Sequence, residues 1–564
     1  MKHLKHSLFM AAGTFGASLL TATVLAAGDS NLPSAADTPL PLTSRTLRNP
    51  AAYIPPQCYT KTQDEAGRAH NPCYTCHTVP RRPNYTYDAD LQLAYDFPED
   101  LAVNHWTNLF ADRSAAIRDT SDAEILEYVR TSNYFNASGG ISLYDVLADP
   151  PQEWDYDGNG RWDGFRPDVY FNFDAQGFDH DPQGNATGWR AFAYHPVPGA
   201  FWPANGSTDD VLIRLPQAFR TGLDGKPDLA VYRTNLAIVE ALVTERDIPI
   251  EPVDEAALGG IDLDRDGRIG SASKVVYDWA PLEQRLMSYV GQARDAQRAG
   301  EVHLAAGLYP EGTEFLHTVR YVDVDENGDN RLAPRMKEVR YALKRLWVDY
   351  SKLEAKAAAE FKEKRDFPNR LKTVRGNLES GVSNGQGWAY TAFIEDASGE
   401  LRPQTYEELV FCVGCHGGIG GNRDGVFSFE RKLGSDAFQA GWYHWSQKGL
   451  RGTPERRLAD GSFEYAHYLA SNGAGDEFRA NRELRDRFFD AQGKLKEAEL
   501  AKVRDDIAEL LFTSPARAMA LNKAYREVVR EQSYYLGREA MLAPLINVHE
   551  EIEPGTETGV REIQ

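Results

Sequence analysis

Four of the five cysteines fall into two copies of one pattern. Cys73-Tyr74-Thr75-Cys76-His77 and Cys412-Val413-Gly414-Cys415-His416 both read C-x-x-C-H. Thiols three positions apart lie about one helical turn from each other, so both can form thioethers to the vinyl groups of one porphyrin. The adjacent imidazole is then placed to ligate the iron from the proximal face. A thioredoxin-like dithiol or half of a zinc site would use the cysteines but leave the trailing histidine unexplained in both copies. The pattern predicts two covalent c-type haems, held by Cys73, Cys76, Cys412 and Cys415, with His77 and His416 on iron.

The sixth iron position separates a coordinatively filled haem from one open to ligands. For the first haem the candidate is His105, in Val103-Asn104-His105-Trp106. For the second, His467 and His444 compete, with His467 favoured by its helical surroundings. Met519, at helical spacing, reads as core. His70 is too close to Cys73 to reach the opposite haem face. Cys58 has no cysteine left to pair with, and reads as a buried thiol or an axial thiolate. No catalytic residue is singled out.

Three acidic loops have the alternation of oxygens that suits a hard cation. The first carries Asp155, Asp157, Asn159 and Asp163, and the second Asp262, Asp264 and Asp266. The third carries Asp325, Asn327 and Asp329. Where an EF-hand has its bidentate Glu these loops have Arg166, Ser273 and Met336, so each is an incomplete calcium loop.

The elements that must position these groups divide the chain by texture. Residues 1–27 combine Lys2 and Lys5 with a glycine-broken apolar run and the small residues of Val24-Leu25-Ala26, and read as a cleavable signal peptide. Residues 28–57 read as a Pro-rich leader arm, 58–150 as the first haem region, 151–335 as a β-rich middle segment holding the acidic loops. Residues 336–549 read as the second haem region, and 550–564 as an acidic, frayed tail. Capping boxes at Ser121–Glu124 and Thr405–Glu408 predict helices, the second of them carrying Cys412 to His416. Strands are expected at 169–173, 211–215 and 275–277, and helices at about 229–244, 334–365, 494–513 and 515–539. The fold class expected is α+β, with mainly helical ends around a β-rich centre.

Of 564 residues, 62 are Lys or Arg and 83 Asp or Glu, a formal charge of −21. That balance argues against nucleic acid and suits a partner with a basic docking face. No run after residue 27 is long and apolar enough for a membrane span, so the mature chain is expected in the periplasm or outside the cell. A P-loop, a hydrolase triad pattern and a dinucleotide fingerprint are not evident.

On its two pentapeptides the sequence resembles the diheme c-type cytochromes, a broad group that includes diheme peroxidases and related oxygenases. The resemblance implies electron transfer through two haems to a redox partner protein. Its alternative is a diheme oxidoreductase of peroxidase or oxygenase type with one open iron. An axial Cys58 would move the resemblance toward diheme sulfur-oxyanion oxidation. In the oxidoreductase alternative the middle segment would shape a pocket; in the electron-transfer reading it would be a calcium-stabilised docking module.

Overall fold

The computed structural model describes residues 49, 52–86, 89–200, 202–473 and 480–563. The expected signal peptide and most of the leader arm lie outside these residues. The centre is a nine-stranded sheet whose described pairings are all antiparallel, in the order β1-β2-β3-β6-β7-β10-β9-β8, with β11 on β10. Its strands are β1 (Phe178–His180), β2 (Ala186–Ala191), β3 (Val211–Arg214), β6 (Glu314–Val324) and β7 (Asn330–Lys344). They continue with β8 (Arg375–Asn377), β9 (Gly381–Ser383), β10 (Trp388–Glu395) and β11 (Leu401–Pro403). A separate hairpin pairs β4 (Ile248–Asp254) with β5 (Ser271–Val275). The fold is thus mixed α and β around a large antiparallel sheet. β7 crosses the expected division at 335/336, and β8–β11 extend the sheet from beyond it.

Successive residues of the long strands serve opposite faces, as the period of two requires. Ile213, Phe315, Ala342 and Tyr390 join one apolar cluster, while Leu212, Leu316, Tyr341 and Phe393 join another. The first face also gathers the helix Leu229–Thr244, which starts where Asp228 caps the amides of Ala230 and Val231. This helix and the strand at 211–214 agree with the sequence expectation.

The helix expected over 334–365 is not formed. Residues 330–344 are β7, and a helix begins only at Tyr350, capped by Asp349. Val339 and Leu343 fit a helical spacing, yet both pair into β6, opposite Thr318 and Glu314. Pro334, which would have opened the helix, sits instead where the β6–β7 register slips between Arg320–Met336 and Val322–Leu332. A proline is tolerated at such a bulge because no ladder amide is needed there. The strand expected at 169–173 is irregular: the Asp179 carboxylate accepts the amides of Tyr170 and Asn172, and Phe171 turns left-handed at φ 53°. The C-terminal helices are shorter than expected, at Glu497–Asp505, Ala508–Leu511 and Pro515–Glu531, the last stopped by left-handed Gln532.

The tail does not fray. Lys61 donates its amide to Asn547 (2.7 Å), Asn104 to Glu550 (2.9 Å) and Thr558 to Leu93 (2.9 Å). Thr558 is fully buried. Residues 545–558 therefore line the segment that carries the first C-x-x-C-H.

Candidate functional site: a thiol-lined cavity

Although 339 positions separate them in sequence, the two C-x-x-C-H segments are in contact. Cys73–Cys76 forms a single helical turn, started by the Asn71 side chain accepting the Cys73 amide (2.8 Å). The second motif ends the helix Tyr406–His416, whose Thr405–Glu408 capping box forms as the sequence predicts. The two meet through glycines. Gly421 donates its amide to the Cys76 carbonyl at 2.8 Å. A Cβ at Gly420 would collide with the Thr78 carbonyl, and one at Gly414 with that of Tyr53. The Asn84 side chain ties this junction by donating to Ile419 (2.7 Å).

Both motifs border one cavity of about 510 Å³. Cys58, Cys73, Cys76, Cys412 and Cys415 all line it, together with His77 and His416. The remaining wall is mainly apolar, from Phe97, Phe192, Phe315, Phe411 and Tyr390, with Arg340 and Arg538 on one side. Burial pushes the Cys73 and Cys76 thiols up to about 12, helped by the neighbouring thiols. Cys415 also rises to about 12, and Cys58 and Cys412 rise for the same first cause. Five neutral thiols are the opposite of what disulfide exchange or thiolate nucleophiles need. They also do not converge as a metal cage. Among the described residues, three or more His, Cys, Asp or Glu ligand atoms approach within 4.8 Å only at two carboxylate clusters.

His416 is held as a ligand would be. Its Nδ1–H donates to the Gly425 carbonyl at 2.7 Å, which leaves the Nε2 lone pair to the cavity. The same carbonyl accepts from the Tyr390 hydroxyl (3.0 Å), and the Tyr390 ring packs 4.8 Å from the imidazole. Burial, opposed by the hydrogen bond to Gly425, brings the His416 imidazole down to about 4, so it is neutral. Asp424, left-handed at φ 51°, precedes this carbonyl and is anchored by Lys344 at 2.6 Å, both side chains fully buried.

The three distal candidates lie away from this cavity. His105 is half-buried and meets the Asp100 carbonyl (3.2 Å). His467 packs edge-on against Tyr74, behind the first motif. His444 has both ring nitrogens engaged, by Asp210 and by Ser446 Oγ (2.8 Å), and stacks on Phe173. Met519 is buried among the residues of the C-terminal helix. Outside the two motifs, the histidine that borders the cavity is His317 on β6, with Nε2 2.9 Å from Asp209. No motif surrounds it, and its partner lies 108 positions earlier. β6 also carries Glu314, Thr318, Arg320 and Asp323, so nothing local in the sequence marked His317 out.

Two of the three acidic loops meet a glutamate from elsewhere in the chain. Asp155 and Asp157 come together with Glu379, and Asp262 and Asp264 with Glu255. Both glutamates are buried. Asn159 and Asp163 complete the first turn through a 2.9 Å hydrogen bond, and Asp266 accepts the Arg268 amide in the second. The third loop is the β6–β7 turn: Asp325 pairs with Arg331 (2.5 Å), Asp329 with Arg451, and Asn327 donates its amide to Asp325.

A family model described as "-like lipoprotein" matches residues 42–507. A curated relative, an "Uncharacterized lipoprotein" of Aquifex aeolicus (strain VF5), is 32% identical over 572 residues, covering 92% of this chain and 92% of its own length. No solved structure matches. These matches overturn the assignment to the diheme c-type cytochromes, which rested on ten residues against similarity along nearly the whole chain. The readings as an electron-transferring cytochrome and as a diheme peroxidase or oxygenase came with that assignment and fall with it. A lipoprotein family agrees with export to the cell envelope. No helix among the described residues is long and apolar enough to cross a membrane.

Proposed function

Since the chain belongs to this lipoprotein family and all five of its thiols line one cavity, we propose that it is an envelope protein, facing the periplasm, that holds haem covalently there. Cys73, Cys76, Cys412 and Cys415 would form the thioethers, and His77 and His416 would hold iron. The observation that carries this reading is the His416 ring. Its Nδ1–H is committed to the Gly425 carbonyl, so its Nε2 lone pair faces the void beside two thiols. The volume, about 510 Å³, lies in the range of cofactor pockets, and its apolar wall suits a large flat ring. Haem supplies a redox-active, ligand-binding iron. The chain itself supplies thiols kept neutral by burial, an imidazole of fixed tautomer and a mainly apolar wall.

Counting alkylatable thiols in the purified, denatured protein tests this directly. One reactive cysteine, Cys58, is expected, with a matching gain in intact mass and a haem spectrum in alkaline pyridine. Five reactive cysteines at the polypeptide mass would overturn it.

We also propose calcium at the Glu255–Asp262–Asp264 cluster. The Glu255 carboxylate accepts the Gly270 amide at 2.9 Å, which braces it against the loop. Asp155, Asp157 and Glu379 form the second candidate.

A further inference from the structure

On the wall of the same cavity stands a group that the haem reading does not use. His317 leaves β6 on the face of Phe315, toward the cavity. Its Nε2–H donates to Asp209 Oδ2 at 2.9 Å, and Asp209 is 1% exposed. The Tyr194 hydroxyl donates to the same carboxylate oxygen. Trp202 lies nearly parallel to the imidazole, 5.6 Å between centroids and 21° between planes, and covers one of its faces. A carboxylate that accepts Nε2–H fixes the tautomer, so the ring nitrogen carrying a lone pair is Nδ1.

Cations share this wall. Arg340 is the direct cross-strand partner of His317, and Lys337 lines the same cavity. Arg340 and Arg538 both bind Glu338, at 2.9 and 3.1 Å, so two guanidinium groups there share one carboxylate. A proton acceptor beside cations is the arrangement that removes a proton from a weak acid and retains the anion.

We propose that Asp209–His317 is a proton-accepting subsite for a small weak acid bound in this cavity. The H–X bond of the ligand breaks, its proton passes to His317 Nδ1, and the electron pair stays on X⁻ beside Arg340. Asp209 stabilises the imidazolium formed, and Tyr194 and Trp202 hold the pair in place. Nothing is oxidised or reduced. The subsite rests on the cavity's being a ligand site, and not on whether haem is attached.

The test uses the full-length protein as purified. Diethyl pyrocarbonate, which attacks imidazole lone pairs, is applied briefly at neutral pH and the modified histidines are located by peptide mass. His317 is expected to react about tenfold faster than His444, whose two nitrogens are engaged, and 4-nitrophenol is expected to slow it about tenfold. In equilibrium dialysis, H317Q should retain about tenfold less 4-nitrophenol than the parent protein at unchanged thermal stability. D209N, which keeps the imidazole but releases its tautomer, should slow modification of His317. An unreactive His317, or equal retention of 4-nitrophenol by H317Q, would overturn the subsite. Five free thiols would overturn haem attachment and leave these readouts intact.

Discussion

At the scale of single residues, buried charge is used to aim side chains. Lys344 and Asp424 form a fully buried pair at 2.6 Å, and the next residue supplies the carbonyl that orients His416. Burial works to raise the Asp424 carboxyl and Lys344 works against it. A lone buried carboxylate is far costlier than a pair, so K344M should destabilise by about 3–5 kcal/mol in denaturant melts. K344M/D424N should lose less than the sum of the two single changes, because the orphaned charge is gone. Additive losses would show that the two groups do not act as a pair. The glycines work at the same scale. Gly414 and Gly420 are required where one motif's backbone meets the segments around the other, and a side chain at Gly420 would separate the motifs.

At the scale of elements, long-range partners complete what local sequence leaves unfinished. Loop 262–267 has the D-x-D-x-D-G spacing, but its buried glutamate comes from Glu255, at the end of the β4 segment. Calcium at a hundredfold excess over its Kd should raise stability by about 2.7 kcal/mol. The increase should be measurable as a calcium-dependent melting temperature that is lost in D262N/D264N and weakened in E255Q. A melting temperature indifferent to calcium would show the cluster to be a braced turn. β7 teaches a related lesson. Its apolar residues match both a helical and a strand period, and the β6 ladder on one side and β10 on the other decide the matter. Pro334 reads as a helix start in isolation and is a bulge residue in the sheet.

At the scale of the molecule, the C-terminal segment packs along the region of the first motif. Residues 545–558 bond to the chain between Tyr59 and Leu109, around the first motif. The charged wall of the cavity links stability to pH. Burial would raise the Glu338 carboxyl, but Arg340 and Arg538 overcome it and hold the group at about 2, below its ordinary 4.5. A carboxyl whose folded pKa is depressed stabilises fully above the unfolded value and loses that contribution as pH falls through the folded one. Melting temperature should therefore fall from about pH 4.5 toward pH 2, and E338Q should flatten this slope while lowering stability at pH 7. An unchanged acid slope in E338Q would place the linkage elsewhere.

The sequence by itself determined the local patterns: two C-x-x-C-H segments, the helix caps at Ser121 and Thr405, and acidic loops with cation spacing. These are set by residues within one or two turns of each other, where spacing alone fixes geometry. It did not determine which family the chain belongs to, since ten motif residues constrain a thioether and an imidazole but not a fold. The tertiary structure alone decided that motifs 339 positions apart share a cavity and that Glu255 and Glu379 come beside two of the acidic loops. It also decided that His317, rather than His105, His444 or His467, faces the void. Each of these depends on strand register and loop contact across long separations, and such pairings leave no local pattern to read.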